Sequence, residues 1–184
     1  MSERHVHAAD LLTVSRTSLL EDGSDARFRQ LVHDLLALSA RLESIRSQMG
    51  AHLGLTGVQY TILISVRQLQ AGQGIGVKAV AEHLGLSGAF VTSETGKLIK
   101  AGLLGKRADP RDGRRVLLNV SGKGIQLLAR LAPAQQEIND TIFGSLDART
   151  FQALCAQATA LRNGSDDALA LSQYLLNAQQ RGDG

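Results

Sequence analysis

The sequence predicts a mainly α-helical protein with one small β-hairpin, and three observations carry that prediction. Leu and Ala dominate a chain of 184 residues that is 43% hydrophobic yet holds only six aromatic residues and no Trp, a composition that suits helices better than a β-sandwich. Apolar residues recur at three- and four-residue steps through most of the chain, the period of an amphipathic helix. The exception lies between Leu103 and Val120, where Val116, Leu118 and Val120 alternate around a turn-forming Asp-Pro-Arg-Asp-Gly run, the pattern of a hairpin.

Taken in order, residues 1–24 are mixed polar and form an N-terminal arm, with one short helix expected around Leu11 and Leu12. Residues 25–54 form the first long helix. From Phe28 to Leu53 it places Leu31, Leu35, Leu38, Leu42, Ile45 and Met49 on one stripe. Thr56 is an N-cap candidate for a second helix running to Val66, because its hydroxyl can accept a free amide of the first turn. Gly72, Gly74 and Gly76 then break the chain.

A short helix follows, with Val77, Val80, Ala81 and Leu84 on its buried face. Gly85 supplies a left-handed turn residue, and Ser87 can cap the next helix by accepting an amide of Ala89 or Phe90. Val91, Thr95 and Leu98 are expected to face the core of that helix. Gly88, Ala89, Phe90, Thr92 and Ser93 are left outward, the small ones allowing close approach to a groove and the others able to touch base edges or thymine methyls. Lys97 and Lys100 suit phosphates. The hairpin comes next, with Lys106, Arg107, Arg111 and Arg115 around its tip and with Asp112 two residues from Arg114. A carboxylate at that spacing can fix a guanidinium in the pose that a narrow, electronegative minor groove attracts. Helix, turn, helix and basic hairpin together make a winged helix-turn-helix over residues 55–120, with double-stranded DNA as the expected partner.

Residues 121–180 return to helices. Ser121 caps one that carries Ile125, Leu128, Leu131, Ile138 and Ile142, with Pro133 expected to kink it by removing a bond to Ala129. Asp147 caps a last region with Leu154, Ala158 and Leu161 on one face, which the polar run at 163–167 could interrupt before Leu169. A winged module of this size does not need three further apolar helices to fold, so residues 25–54 and 121–180 are expected to pair with a second copy as dimerisation helices. The plainer alternative is a monomeric helical domain.

Charge agrees with the DNA reading. The net charge is +3, but Lys78 to Lys123 hold nine Lys/Arg against four Asp/Glu, or +5, leaving −2 for everything else. Charge concentrated on one module is the footprint of a phosphate-binding surface.

In sequence order the motifs Leu55-Thr-Gly-Val-Gln-Tyr-Thr-Ile-Leu63, Val80-Ala-Glu-His-Leu-Gly-Leu-Ser87, Val91-Thr92, Leu98-Ile-Lys-Ala-Gly-Leu-Leu104, Asp109-Pro-Arg-Asp-Gly-Arg-Arg115 and Ser121-Gly-Lys-Gly124 resemble the MarR-type (multiple antibiotic resistance regulator) transcription factors of bacteria. The resemblance spans about Leu35 to Leu161. It implies a triangular homodimer built from the terminal helices, a pseudo-palindromic operator, and repression relieved by a small phenolic or aromatic-acid effector or by oxidation. It also implies an effector pocket where the dimerisation helices meet the winged module, which here would recruit His33, Arg41, Tyr60, Leu63 and residues near Ile125 or Leu128. The chain departs from the family in one helix. Ser93 stands where Arg is common, Glu94 and Thr95 stand where apolar residues are usual, and Gly96 falls mid-helix. Loss of the Arg and gain of Glu94 are expected to weaken DNA contact or to shift discrimination toward Phe90 and the wing.

Other functions find less support. There is no Gly-rich phosphate loop after a strand, no His-Glu-x-x-His and no Gly-x-Ser-x-Gly, so no enzyme and no cofactor are expected. A protein-interaction module that lost DNA binding would explain Glu94 and Gly96 but not the basic wing. One cysteine, Cys155, excludes a disulfide framework. The family's peroxide sensors carry their cysteine in the N-terminal helix, so Cys155, in an apolar run, is expected to be buried and inert. The histidines are scattered, and His5 with His7 would need an extended arm to make even a pair of ligands. No metal site is expected, although a zinc-sensing variant stays open. With no run of about 18 apolar residues, the expected location is the cytoplasm rather than a membrane.

Overall fold

A computed structural model describes residues 12–70, 72–110 and 112–182, apart from the side chains at 113, 114 and 179–182. It contains six α-helices and a three-stranded antiparallel sheet. In chain order these are α1 (Ala26–His52), α2 (Gly57–Leu69), β1 (Ile75–Gly76), α3 (Val77–Leu84), α4 (Gly88–Lys100), β2 (Leu104–Asp109), β3 (Asp112–Val120), α5 (Gly122–Phe143) and α6 (Ala148–Gly182). The chain divides into two compact units between Ala132 and Pro133.

In the first unit the core is built by α2, α3, α4 and the base of the wing. Ile62, Leu63, Val66, Val80 and Val91 are completely buried, with Tyr60, Leu98 and Leu118 close behind. Thr56 starts α2 with a full capping box: its hydroxyl accepts from the Gln59 amide, while the Gln59 side chain accepts from the Thr56 amide. The end of α1 and the start of α2 are in backbone contact. A Cβ on Gly50 would sit 2.8 Å from the carbonyl oxygen of Thr56, and one on Gly57 would meet Ser47 Cα at 3.0 Å. Glycine is required where two backbones approach that closely.

The apolar stripe of α1 is covered only toward its C-terminal end. Met49 is buried and Leu42 and Ile45 are half-buried, whereas Leu31, Leu35 and Leu38 are exposed in the single chain. Ahead of α1, the helix expected around Leu11 and Leu12 falls largely outside the described residues. Leu11 is not among them, Leu12 carries no regular secondary structure, and a 3-10 turn occupies Thr17–Leu19.

The glycine run after α2 does more than break the chain. Ile75 and Gly76 form β1, which pairs with Leu118 and Leu117 of β3, so the sheet order is β1-β3-β2 and the wing is anchored through its second strand. Gly74 permits this approach at φ +83, since a Cβ there would lie 2.9 Å from the Leu118 carbonyl oxygen. At the same end of β3, Val120 N donates to Gln70 Oε1 at 2.9 Å.

Helix α5 begins at Ser121, whose hydroxyl accepts from the Gly124 amide at 3.0 Å and donates to the Gly102 carbonyl at 2.6 Å. Leu128 and Leu131 are buried. The helix continues through Pro133, and the boundary between the compact units falls at that residue.

The second unit comprises the end of α5 and α6. Asp147 caps α6, accepting from the Thr150 amide at 2.7 Å and the Thr150 hydroxyl at 2.6 Å. The polar run at 163–167 does not interrupt it, because α6 is one helix of 35 residues. Asn163 to Asp167 contain one glycine and no proline, a modest propensity loss that the flanking turns tolerate. Every side chain from Ala148 to Ala178 is exposed in the single chain, including Leu154, Leu161, Leu169 and Leu175. Cys155 is exposed with them, contrary to the burial expected from its apolar neighbours.

Candidate nucleic-acid interface

The turn between α3 and α4 forms as its residues require. Gly85 ends α3 in the left-handed conformation at φ 64, and the Leu86 amide returns to the Ala81 carbonyl at 3.0 Å. Ser87 then caps α4, its Oγ accepting from the Phe90 amide at 3.3 Å. Along α4 the buried positions are Val91, Glu94, Thr95 and Leu98, one helical face. Val91, Thr95 and Leu98 therefore face the core as expected.

The opposite face is open. Ser87, Gly88, Ala89, Phe90, Thr92, Ser93, Lys97 and Lys100 are exposed. Phe90 keeps 42% of its surface accessible, a large apolar ring that the fold does not use. The Thr92 hydroxyl donates to the Gly88 carbonyl at 2.7 Å, leaving its methyl and its acceptor lone pairs outward.

Glu94 is not the surface anion that the sequence suggests. Only 7% exposed, it turns inward, where Oε2 accepts from Gln59 Nε2 at 3.0 Å and Oε1 accepts from Lys97 Nζ at 2.6 Å. Hydrogen bonds from Lys97 and then Gln59 hold its carboxyl below the usual carboxylate range, against the opposing effect of burial. Glu94 therefore presents little negative charge to a phosphate. Lys97, assigned to phosphates by sequence, pairs with Glu94 through one of its three N–H donors, and its side chain stays 59% exposed.

The wing is a regular ladder from Leu104↔Val120 to Ala108↔Val116, with a shift before Asp109↔Asp112 at the tip. Leu103, Leu104, Leu118 and Val120 are buried. Val116 shares the alternation but is 45% exposed, because that end of the ribbon reaches past the core and its cross-strand partner is only Ala108. Lys106, Arg107 and Arg115 are exposed, and the pleat puts Arg107 and Arg115 on the same face. The Arg107 guanidinium donates to the Gln73 carbonyl, tying β2 to the loop before β1. Asp112 opens β3 and is exposed. Arg111 lies outside the described residues, as does the side chain of Arg114, whose backbone belongs to β3.

His33, Arg41 and Tyr60 do not converge. His33 and Arg41 are exposed on α1, with Arg41 donating to the Ala37 carbonyl at 3.0 Å. Tyr60 is in the core, its hydroxyl against Met49 Sδ at 3.4 Å, and burial pushes its phenol up. None of the three lines the cleft that the first unit does contain. That cleft, about 560 Å³, lies between α1, α2 and the end of α3, walled by Leu35, Leu38, Leu42, Val58, Leu84 and Leu86. Its polar groups include Arg46, Ser39, Thr56 and Thr61. The sequence holds one signal for this arrangement, the Thr56-x-x-Gln59 capping box, which orients the start of α2. Among the described residues, no group of three or more His, Cys, Asp or Glu is placed to hold a metal, and no helix is long and apolar enough to cross a membrane.

A mostly helical chain with a capped helix-turn-helix and a basic antiparallel wing is a winged helix-turn-helix protein. No protein-family model matches the sequence, and no curated protein matches it. Solved structures do. The MarR protein from Peptoclostridium difficile is 20% identical, with 80% of this chain and 93% of that one covered at a TM-score of 0.61. The PcaV transcriptional regulator from Streptomyces coelicolor, solved with its natural ligand, is 25% identical over 70% of this chain and 91% of that one, with a TM-score of 0.52. BpsR of Bordetella bronchiseptica, whose DNA binding is regulated by 6-hydroxynicotinic acid, is 23% identical over 72% and 98%, with a TM-score of 0.56. Over most of its length this chain has the fold of MarR-type regulators.

Proposed function

We propose that the chain is a MarR-type transcriptional regulator that binds a pseudo-palindromic operator as a homodimer and represses transcription. The open face of α4 carries this reading. A helix N-terminus with small residues, a free aromatic ring and two hydroxyls stands in the same module as a basic β-ribbon. In this reading Ser87, Gly88, Ala89, Phe90, Thr92 and Ser93 enter the major groove. Arg114, set by Asp112, enters the minor groove, and Lys97, Arg107, Arg111 and Arg115 take phosphates. The fold shared with a regulator whose DNA binding responds to an aromatic acid supports it.

Residues 25–54 and 121–180 form the dimer, covering the leucines that α1 and α6 leave exposed. The effector is a small phenolic or aromatic acid. The α1–α2 cleft fits that class, with apolar walls for a ring and the Arg46 guanidinium for a carboxylate.

Fluorescence anisotropy on a pool of genomic promoter fragments, at low and moderate salt, tests the function. Salt-sensitive binding that selects an inverted repeat is expected. No salt-sensitive binding to any fragment would overturn it.

A further inference from the structure

We infer that Gln59 and Glu94 couple the α1–α2 cleft to α4, acting as positioning residues that make DNA recognition depend on what occupies the cleft. The inference rests on the DNA-binding reading above and deepens it.

Four hydrogen bonds join the two places. Thr56, which lines the cleft, exchanges two of them with Gln59: the Gln59 amide reaches Thr56 Oγ1 at 3.2 Å and the Thr56 amide reaches Gln59 Oε1 at 3.2 Å. The other end of the same side-chain amide donates to Glu94 Oε2 at 3.0 Å. The second oxygen of Glu94 accepts from Lys97 Nζ at 2.6 Å. Gln59 is thus fixed at both ends, its oxygen by α2 and its nitrogen by α4. The chain runs from the cleft wall into the exposed face of α4 with no gap to absorb a displacement.

The start of α2 also has no slack against α1. Gly57 and Gly50 are packed so closely that even a methyl group would collide with Ser47 or with the Thr56 carbonyl. A molecule seated in the cleft that presses on Thr56 therefore shifts the start of α2 with it. Gln59 then loses the partner that orients it, and Glu94 faces a loss of one partner while staying buried. An under-satisfied buried carboxylate is unfavourable, so the lower-energy response is for α4 to move with α2. Two arrangements of α4, biased by cleft occupancy, are what allosteric coupling needs. Leu or another apolar residue at position 94 would pack there but would break this chain of bonds.

A double-mutant cycle on the full-length protein tests the idea without an identified effector. Ser39→Trp and Val58→Trp each fill the cleft from one wall and serve as covalent surrogates. Affinity for a DNA fragment bound by the wild-type protein is measured for each filler alone and in the Gln59→Met and Glu94→Leu backgrounds, after melting curves show that the proteins fold. A filler is expected to weaken DNA binding about tenfold in the wild-type background and less than about twofold where the chain is broken. Glu94→Leu replaces a buried carboxylate by an apolar group and keeps the test open if Gln59→Met does not fold. Equal losses in every background, or no loss from either filler, overturn the coupling while leaving DNA binding intact. A wild-type protein that binds no DNA removes the reading on which the coupling rests.

Discussion

Thr13 holds Asp25 by two hydrogen bonds to a single oxygen. The Thr13 amide and its hydroxyl both donate to Asp25 Oδ2 at 2.7 Å, while Arg29 Nη1 takes Oδ1 at 2.8 Å. Asp25 is 1% exposed and sits immediately before α1, yet its side chain makes no cap bond to that helix. It is spent instead on fastening the N-terminal segment to the helix start.

This clamp makes the arm acid-sensitive. The Thr13 amide, then the Thr13 hydroxyl, hold the Asp25 carboxyl below its ordinary value, with burial opposing and Arg29 assisting. Because the folded-state pKa lies below the unfolded one, the clamp stabilises fully above about pH 4 and is lost as pH falls through the folded value. Limited proteolysis between residues 12 and 25 is expected to accelerate in that acid range. Asp25→Asn should show the faster cleavage already at neutral pH.

Two glycines should respond in opposite directions to the same substitution. A Cβ on Gly96, in the middle of α4, would meet nothing within 4 Å, so Gly96→Ala should stabilise by about 1 kcal/mol. A Cβ on Gly124 would collide with the Leu103 carbonyl oxygen and reach Val120 Cγ1 at 2.8 Å. Gly124→Ala should destabilise by about 1–3 kcal/mol. Urea denaturation of the two variants beside the parent checks both signs.

The wing prediction concerns salt as well as affinity. Arg114→Ala is expected to weaken operator binding roughly tenfold and to flatten the slope of log affinity against log salt by about one. Unchanged affinity and slope would take the wing out of the interface.

Leu161 is 59% exposed in the middle of α6, and the dimer proposal covers it. Leu161→Glu should shift sedimentation toward monomer at micromolar concentration and weaken operator binding with it, since two half-sites then bind independently. A dimer as tight as the parent would show that α6 is covered by something else.

What could be read in the sequence follows the range of the interaction. Thr56, Ser87, Ser121 and Asp147 each cap the helix assigned to them, because a cap depends on an amide two or three residues away. Gly85 turns left-handed where the α3–α4 connection demands it. Val91, Thr95 and Leu98 face inward because helical period alone selects them. Less legible were Val116, whose alternation does not say where the core stops, and the pairing of β1, which needs a partner strand more than 40 residues on. Tyr60 lies outside the cleft because the α2 face it occupies is the one packed against Met49.

By itself, then, the chain determined its helices, their caps, the turn before α4 and the basic hairpin, all set by hydrogen bonds and periodicities within a few residues. Only the tertiary structure decided what Glu94 does. Local reading makes it a charge on a helix meant for an anion. Its partner Gln59 is 35 residues away, and the bond exists only because α2 and α4 pack together with Gln59 already oriented by Thr56. Burial plus two donors turn a repulsive surface carboxylate into a link between α4 and the cleft.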